Sequence, residues 1–206
     1  MKIKRFVTDL MSSNMYVISE SGHALVIDPC NVVMYAENLI VDKILLTHEH
    51  YDHISGVNVW KDATGAPVMC SKSCAANIIN PQKNMSRYFN EFCSLQTMFP
   101  LKDLKLKISD YICKADMTFN DKTSFCWQGH TVTLIEIPGH SLGSIGIYID
   151  NRDFFSGDSF FENHDTELRL PGGSIRKWKE IGEKRIESIP HGVKIWPGHF
   201  ECFIKK

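Results

Sequence analysis

Strand-like apolar runs alternate with helix-forming stretches along the 206-residue chain, and this alternation predicts a layered α/β protein. Two further observations support that class. Several of the apolar runs stop at a short turn bearing a polar donor, as rigid scaffolds do when they present functional groups on loops. The length also suits a single domain, 1–206, large enough to bury roughly 70% of its unfolded surface.

Taken in order, residues 2–7, 15–19 and 24–27 are short strand candidates, with Glu20-Ser21-Gly22-His23 turning between the last two. Asn31 is placed to cap a short helix over 31–40, which leads into an apolar strand at 43–46. Residues 54–63 read as a helix stopped by Gly65 and Pro67, 68–69 as a strand and 73–79 as another helix. The second half predicts strands at 131–137, 145–149, 153–156 and 193–196, with an amphipathic helix at 175–188. No repeat of fixed period runs through the chain, which excludes a solenoid.

The strand at 43–46 opens into Thr47-His48-Glu49-His50-Tyr51-Asp52-His53. Borderline nitrogen donors and hard oxygen donors at this density suit a zinc-class ion. His48 and His50 share one side of an extended segment, while Asp52 and His53 fall beyond it as the chain turns, so one loop offers donors to two neighbouring cations. Three later places share a local form: Pro138-Gly139-His140, Ser156-Gly157-Asp158 and Pro197-Gly198-His199 each put a donor just after a glycine at the end of an apolar run.

This ordered set resembles the metallo-β-lactamase superfold and, within it, the glyoxalase II-like (hydroxyacylglutathione hydrolase-like) metallohydrolases. The resemblance spans nearly the whole chain and rests on Asp28 in Leu25-Val26-Ile27-Asp28-Pro29, the His48 to His53 cluster, His140, Asp158 and His199. It implies a four-layer αββα sandwich. It also implies that His48, His50 and His140 hold one metal and Asp52, His53 and His199 the other, with Asp158 bridging the two. Asp28 becomes an outer carboxylate that orients a ligand histidine. Two divalent ions are expected, zinc first, with iron or manganese as alternatives.

Such a pair lowers the pKa of a shared water toward about 7 and polarises the oxygen under attack, which makes a metal-bound hydroxide the nucleophile. Asp52 and Asp158 are then the catalytic carboxylates. The expected reaction is hydrolysis of a small thioester or ester; a lactonase and a mononuclear iron persulfide dioxygenase are the alternatives that keep the same residues. The zinc β-lactamases of this superfold commonly carry a cysteine in place of Asp158, which argues against antibiotic hydrolysis. Leu170-Pro171-Gly172-Gly173 matches the glyoxalase II-like pattern, but His164-Asp165-Thr166-Glu167-Leu168-Arg169 replaces its Gly-Arg-Thr-Asp element, so glutathione recognition does not carry over.

Tyr51, Tyr88 and His164 are candidate pocket residues. The stretch 80–121 is the least regular, rich in Phe, Leu and Met and broken by Pro100; it is expected as an insertion near the active site, forming a lid, a dimer contact or an extra packed helix. A formal net charge of -1 without long single-sign runs gives no footprint for nucleic acid or an anionic membrane, leaving a small-molecule substrate as the expected partner. The seven cysteines lack zinc-ribbon spacing and no apolar leader opens the chain, which predicts reduced thiols in the cytoplasm. Oligomeric state is not encoded in any pattern of the sequence.

Overall fold

The computed structural model describes residues 1–36, 38–96 and 108–206. Among these, β1 (Lys2–Val7), β2 (Asn14–Glu20), β3 (His23–Ile27), β4 (Ile40–Leu45), β5 (Val68–Ser71) and β6 (Met117–Phe119) form one six-stranded sheet in sequential order. β1 to β3 are antiparallel, and β3 to β6 run parallel. The second sheet also has six strands, again in sequential order: β7 (Lys122–Trp127), β8 (His130–Glu136), β9 (Ile145–Ile149), β10 (Asp153–Gly157), β11 (Lys194–Pro197) and β12 (Phe203–Ile204).

The period of two along each strand decides which layer every side chain joins. Tyr16 and Ile18, Leu25 and Ile27, and Leu45 point between the sheets, where they meet Leu134, Ile147, Phe155 and Trp196. Their neighbours Met15, Val17, Ala24, Val26 and Ile44 face outward against α2 (Val57–Thr64) and α3 (Lys72–Asn77), which contribute Val57, Trp60 and Cys74. On the far side Phe154, Ile195 and Val193 are covered by Trp178 and Ile186, from the helix that runs as α5 (Ile175–Lys177), a π turn (Trp178–Gly182) and α6 (Glu183–Glu187). The order of layers is helix, sheet, sheet, helix. Each fully buried large side chain in these layers contributes about 1.5–3 kcal/mol.

Four local expectations change. The helix over 31–40 is reduced to a 3-10 turn at Val33–Ala36, because Asn38 takes a φ of 67° and Ile40 N–H donates to Gly22 O (2.9 Å), drawing the chain into β4. The helix over 54–63 is two pieces, α1 (Tyr51–Ile54) and α2, the latter ended by Gly65 in the left-handed conformation as expected. The stretch 80–121 carries α4 (Phe89–Leu95) and β6; its residues 97–107 lie outside those described. β7 was not expected at all. It pairs with β8 across the two-residue turn Gln128-Gly129, both residues at positive φ, as a tight hairpin requires.

Topology then sets the position of the site. β8 and β10 both run antiparallel to β9, and β10 runs parallel to β11, so the C-terminal ends of β8, β10 and β11 share one rim of the second sheet. β3 and β4 likewise end together on the first sheet.

Candidate metal centre

The segment after β4 carries His48 and His50, the latter on extended backbone, and α1 begins at Tyr51, which puts Asp52 and His53 on its first turn. His140 follows β8, Asp158 follows β10 and His199 follows β11, so the seven predicted donors all lie at the C-terminal ends of strands. The structure brings them together. Nitrogen donors of His48, His50 and His140 lie within 4.8 Å of one another, as do donor atoms of Asp52, His53 and His199. The carboxylate of Asp158 touches both groups, at 3.6 Å from His140 Nε2, 3.5 Å from His53 Nε2 and 3.3 Å from His199 Nε2.

Two glycines permit this closeness. Gly157 takes a φ of 50° beside Thr47, and a Cβ on Gly198 would stand 2.1 Å from Asp158 Oδ1. The His199 turn is further anchored from β2: Tyr16 Oη and Asn14 Nδ2 both donate to Pro197 O, at 2.6 and 2.9 Å.

The hydrogen bonds fix the tautomers, because a carbonyl oxygen can only accept. His50 Nε2–H donates to Pro171 O (3.1 Å) and His140 Nδ1–H to Glu167 O (2.8 Å). Their other nitrogens, His50 Nδ1 and His140 Nε2, therefore face each other as lone pairs only 2.9 Å apart. His53 Nδ1–H donates to Asp28 Oδ2 (3.1 Å), which leaves its Nε2 toward Asp52, Asp158 and His199. Thr47 Oγ1 donates to Asp28 Oδ2 (2.6 Å) and so accepts from His48 Nδ1 (3.0 Å). Among the described residues, buried His48 Nε2 and Asp158 Oδ1 have no hydrogen-bond partner. Lone pairs converging in a buried space repel unless a cation lies among them, and these residues therefore fit a metal pair.

The electrostatics point the same way. Burial opposes charge on both Asp52 and Asp158, yet neighbouring His53 and His199 hold the two carboxyls well below the usual range. Burial likewise opposes charge on His199, but Asp158 and Asp52 raise it to about 9, and His53 is raised in the same way by Asp52 and Asp158. Burial, reinforced by His50, lowers His140 to about 4, keeping it neutral and able to donate a lone pair. The carboxylates thus demand positive charge in their midst.

Asp28 sits outside this ring, at a φ of 51°, and binds Thr47 N–H (2.7 Å) as well as Thr47 Oγ1 and His53. Burial raises its carboxyl above the usual value, against the pull of His53 and Thr47. Glu49 stands between two donor histidines and belongs to neither donor group. Completely buried, it accepts from Asn77 Nδ2 and Ser141 Oγ, both at 2.7 Å, and so ties the His48–His50 segment to α3 and to the turn after His140. Strand alternation was the signal available, since a residue between two ligands faces away from them.

A cavity of about 330 Å³ opens over the centre, and His50, Asp52, His140, Asp158 and His199 form its floor. His164 lines it, as do Met85, Phe89, Phe92 and Gln96 from the stretch 80–121. Tyr51 and Tyr88 are not among the described lining residues. Tyr51 turns away to pack on Phe89 and Tyr111 and borders a separate cavity with Leu10 and Cys30. Tyr88 is 46% exposed, because Phe89 takes the inward direction as α4 begins.

The sequence model of the metallo-β-lactamase superfamily matches residues 8–188. The chain belongs to that superfamily. A probable metallo-hydrolase of Streptococcus pyogenes serotype M6 is 24% identical over 97% of this chain and 84% of its own length. The hydroxyacylglutathione hydrolase of Psychromonas ingrahamii is 25% identical over 88% of this chain, and the match spans 58% of that protein. Among solved structures, the B3 metallo-β-lactamase BLEG-1 superposes with a TM-score of 0.82 at 23% identity, over 98% of this chain and 94% of the other. TTHA1623 in a di-iron-bound form gives 0.74 at 21% identity, over 98% and 94%. These two likenesses show the fold, which this metallo-β-lactamase superfamily chain shares with both. No described helix is long and apolar enough to cross a membrane.

Proposed function

We propose that the chain is a dinuclear metal-dependent hydrolase of small thioesters or esters. The observation that carries this is the 2.9 Å approach of His50 Nδ1 and His140 Nε2 with both opposite nitrogens committed to carbonyls, next to a second donor group joined to it by Asp158. His48, His50 and His140 would hold one cation, Asp52, His53 and His199 the other, and Asp158 both. When bound, the cations supply a water that ionises near neutral pH and a Lewis acid for the acyl oxygen.

The chain's own residues orient and shield. Asp28, through His53 Nδ1, and Glu167 O, through His140 Nδ1, fix the ring orientations and favour lone pairs at the inner nitrogens. The apolar cavity walls exclude bulk water from the reacting acyl group. Asp52 is committed to His53 and His199, which makes it an orienting group and a poor free base. Zinc is the proposed metal, with iron as the rival suggested by the di-iron form of TTHA1623.

Elemental analysis combined with a panel of thioesters, esters, lactones, phosphodiesters and a cephalosporin tests the proposal. About two equivalents of zinc, thioester or ester turnover, and at least 1000-fold loss in D158A are expected. Protein that holds a single iron and consumes oxygen with a persulfide, or that hydrolyses only the cephalosporin, would sink it.

A further inference from the structure

Met11, Met85, Phe89, Phe161, Leu170 and Phe200 wall the cavity above the centre. Asp165 and Glu167 line it too, and no lysine or arginine is among the described lining residues. Phe200 shows the most deliberate placement. Its φ of 66° is a left-handed conformation that a bulky side chain rarely adopts. It is held there by its carbonyl, which accepts from Asn14 Nδ2 (2.9 Å) and Arg5 Nη1 (2.5 Å). The ring in consequence stacks on His164, with centroids 4.2 Å apart and planes at 13°, and meets Phe161 edge-on at 5.6 Å. Phe200 directly follows His199 in the chain, and both residues line the cavity.

We propose that this aromatic wall selects an aryl-bearing acyl group joined to a leaving group without carboxylate or phosphate; the claim rests on the hydrolase assignment of the same centre. An aromatic ring offers a large area to bury and an edge that fits a π-faced wall. Asp165 and Glu167, the latter with its carboxylate accepting from Arg169 N–H (2.7 Å), put negative charge in the lining and disfavour anionic leaving groups such as a tripeptide thiol. Hydrolysis adds water across the acyl bond: a C–O bond forms, the C–S bond breaks, and the thiol departs with a proton as the carboxylic acid is released.

The test uses zinc-loaded protein and three thioesters: S-phenylacetyl-N-acetylcysteamine, its S-acetyl counterpart and S-phenylacetylglutathione. At least a tenfold higher kcat/KM is expected for the first over each of the others. F161A and F200A should erase the aryl preference mainly through KM while metal content stays unchanged. In parallel, calorimetry measures binding of inert ketone analogues in which a methylene replaces the sulfur. If all three thioesters are inert yet the neutral aryl ketone binds at least tenfold tighter than the methyl and glutathione ketones, the hydrolase assignment falls and the aryl slot stands. Equal binding of the ketones, or a preference for the glutathione thioester, overturns the slot.

Discussion

At the scale of single residues, the centre depends on how close backbone can come to a carboxylate. A methyl group on Gly198 would stand 2.1 Å from Asp158 Oδ1 and 2.9 Å from His53 Cε1, so G198A is expected to bind less than half of the wild-type metal while circular dichroism stays native. Asp28 acts one bond further out. D28N keeps an acceptor for Thr47 N–H but loses the charge facing His53, and metal affinity measured by chelator competition should fall about 10–100-fold. D28A also strands a buried N–H and should cost a further 1–3 kcal/mol or so of stability, visible in urea denaturation. The convergence of the seven side chains is legible in the sequence because donor-type residues stand at particular turns after apolar runs. The place of Tyr51 is not: at the first position of α1 its direction depends on helix geometry, and Phe89 and Tyr111 draw it to the far side.

At the scale of elements, Asp116 joins α2 to β5 just ahead of β6. It accepts from Lys61 Nζ (2.5 Å) and from Val68 N–H (2.9 Å). Burial alone would raise its carboxyl, but these two donors outweigh burial and lower it. A depressed folded-state value means the contribution is complete above the unfolded value of about 3.9 and disappears as pH falls through the folded one. Wild type should therefore melt above D116N at pH 6–7, and the gap should narrow as pH falls below about 3.9; a gap that widens with acidification instead would refute the linkage. Most strands were legible because their alternation divides the two cores, as Tyr16 and Val17 do. β7 escaped because it is half exposed and polar on one face, and only Gln128-Gly129 signalled the hairpin. The helix expected over 31–40 failed because pairing with β3 outweighed local capping.

At the scale of the whole molecule, the two sheets are held together by the core between them and, at one end, by the site. Phe155 stands at the middle of that core, 5.1 Å from Tyr16 and 5.9 Å from Trp196 between ring centroids, and F155A should lose about 3–5 kcal/mol in denaturant unfolding without altering the ligand set. The donors come from loops on both sheets: His48 to His53 from the first, His140, Asp158 and His199 from the second. A cation pair gripped by all of them would act as a clasp across the open end of the sandwich. At free metal 1000-fold above its dissociation constant, each bound ion adds about 4 kcal/mol to folding, so chelation should lower the melting temperature sharply and admit proteases at that end first. The lifetime of the chain, as well as its chemistry, would then follow the supply of the ion.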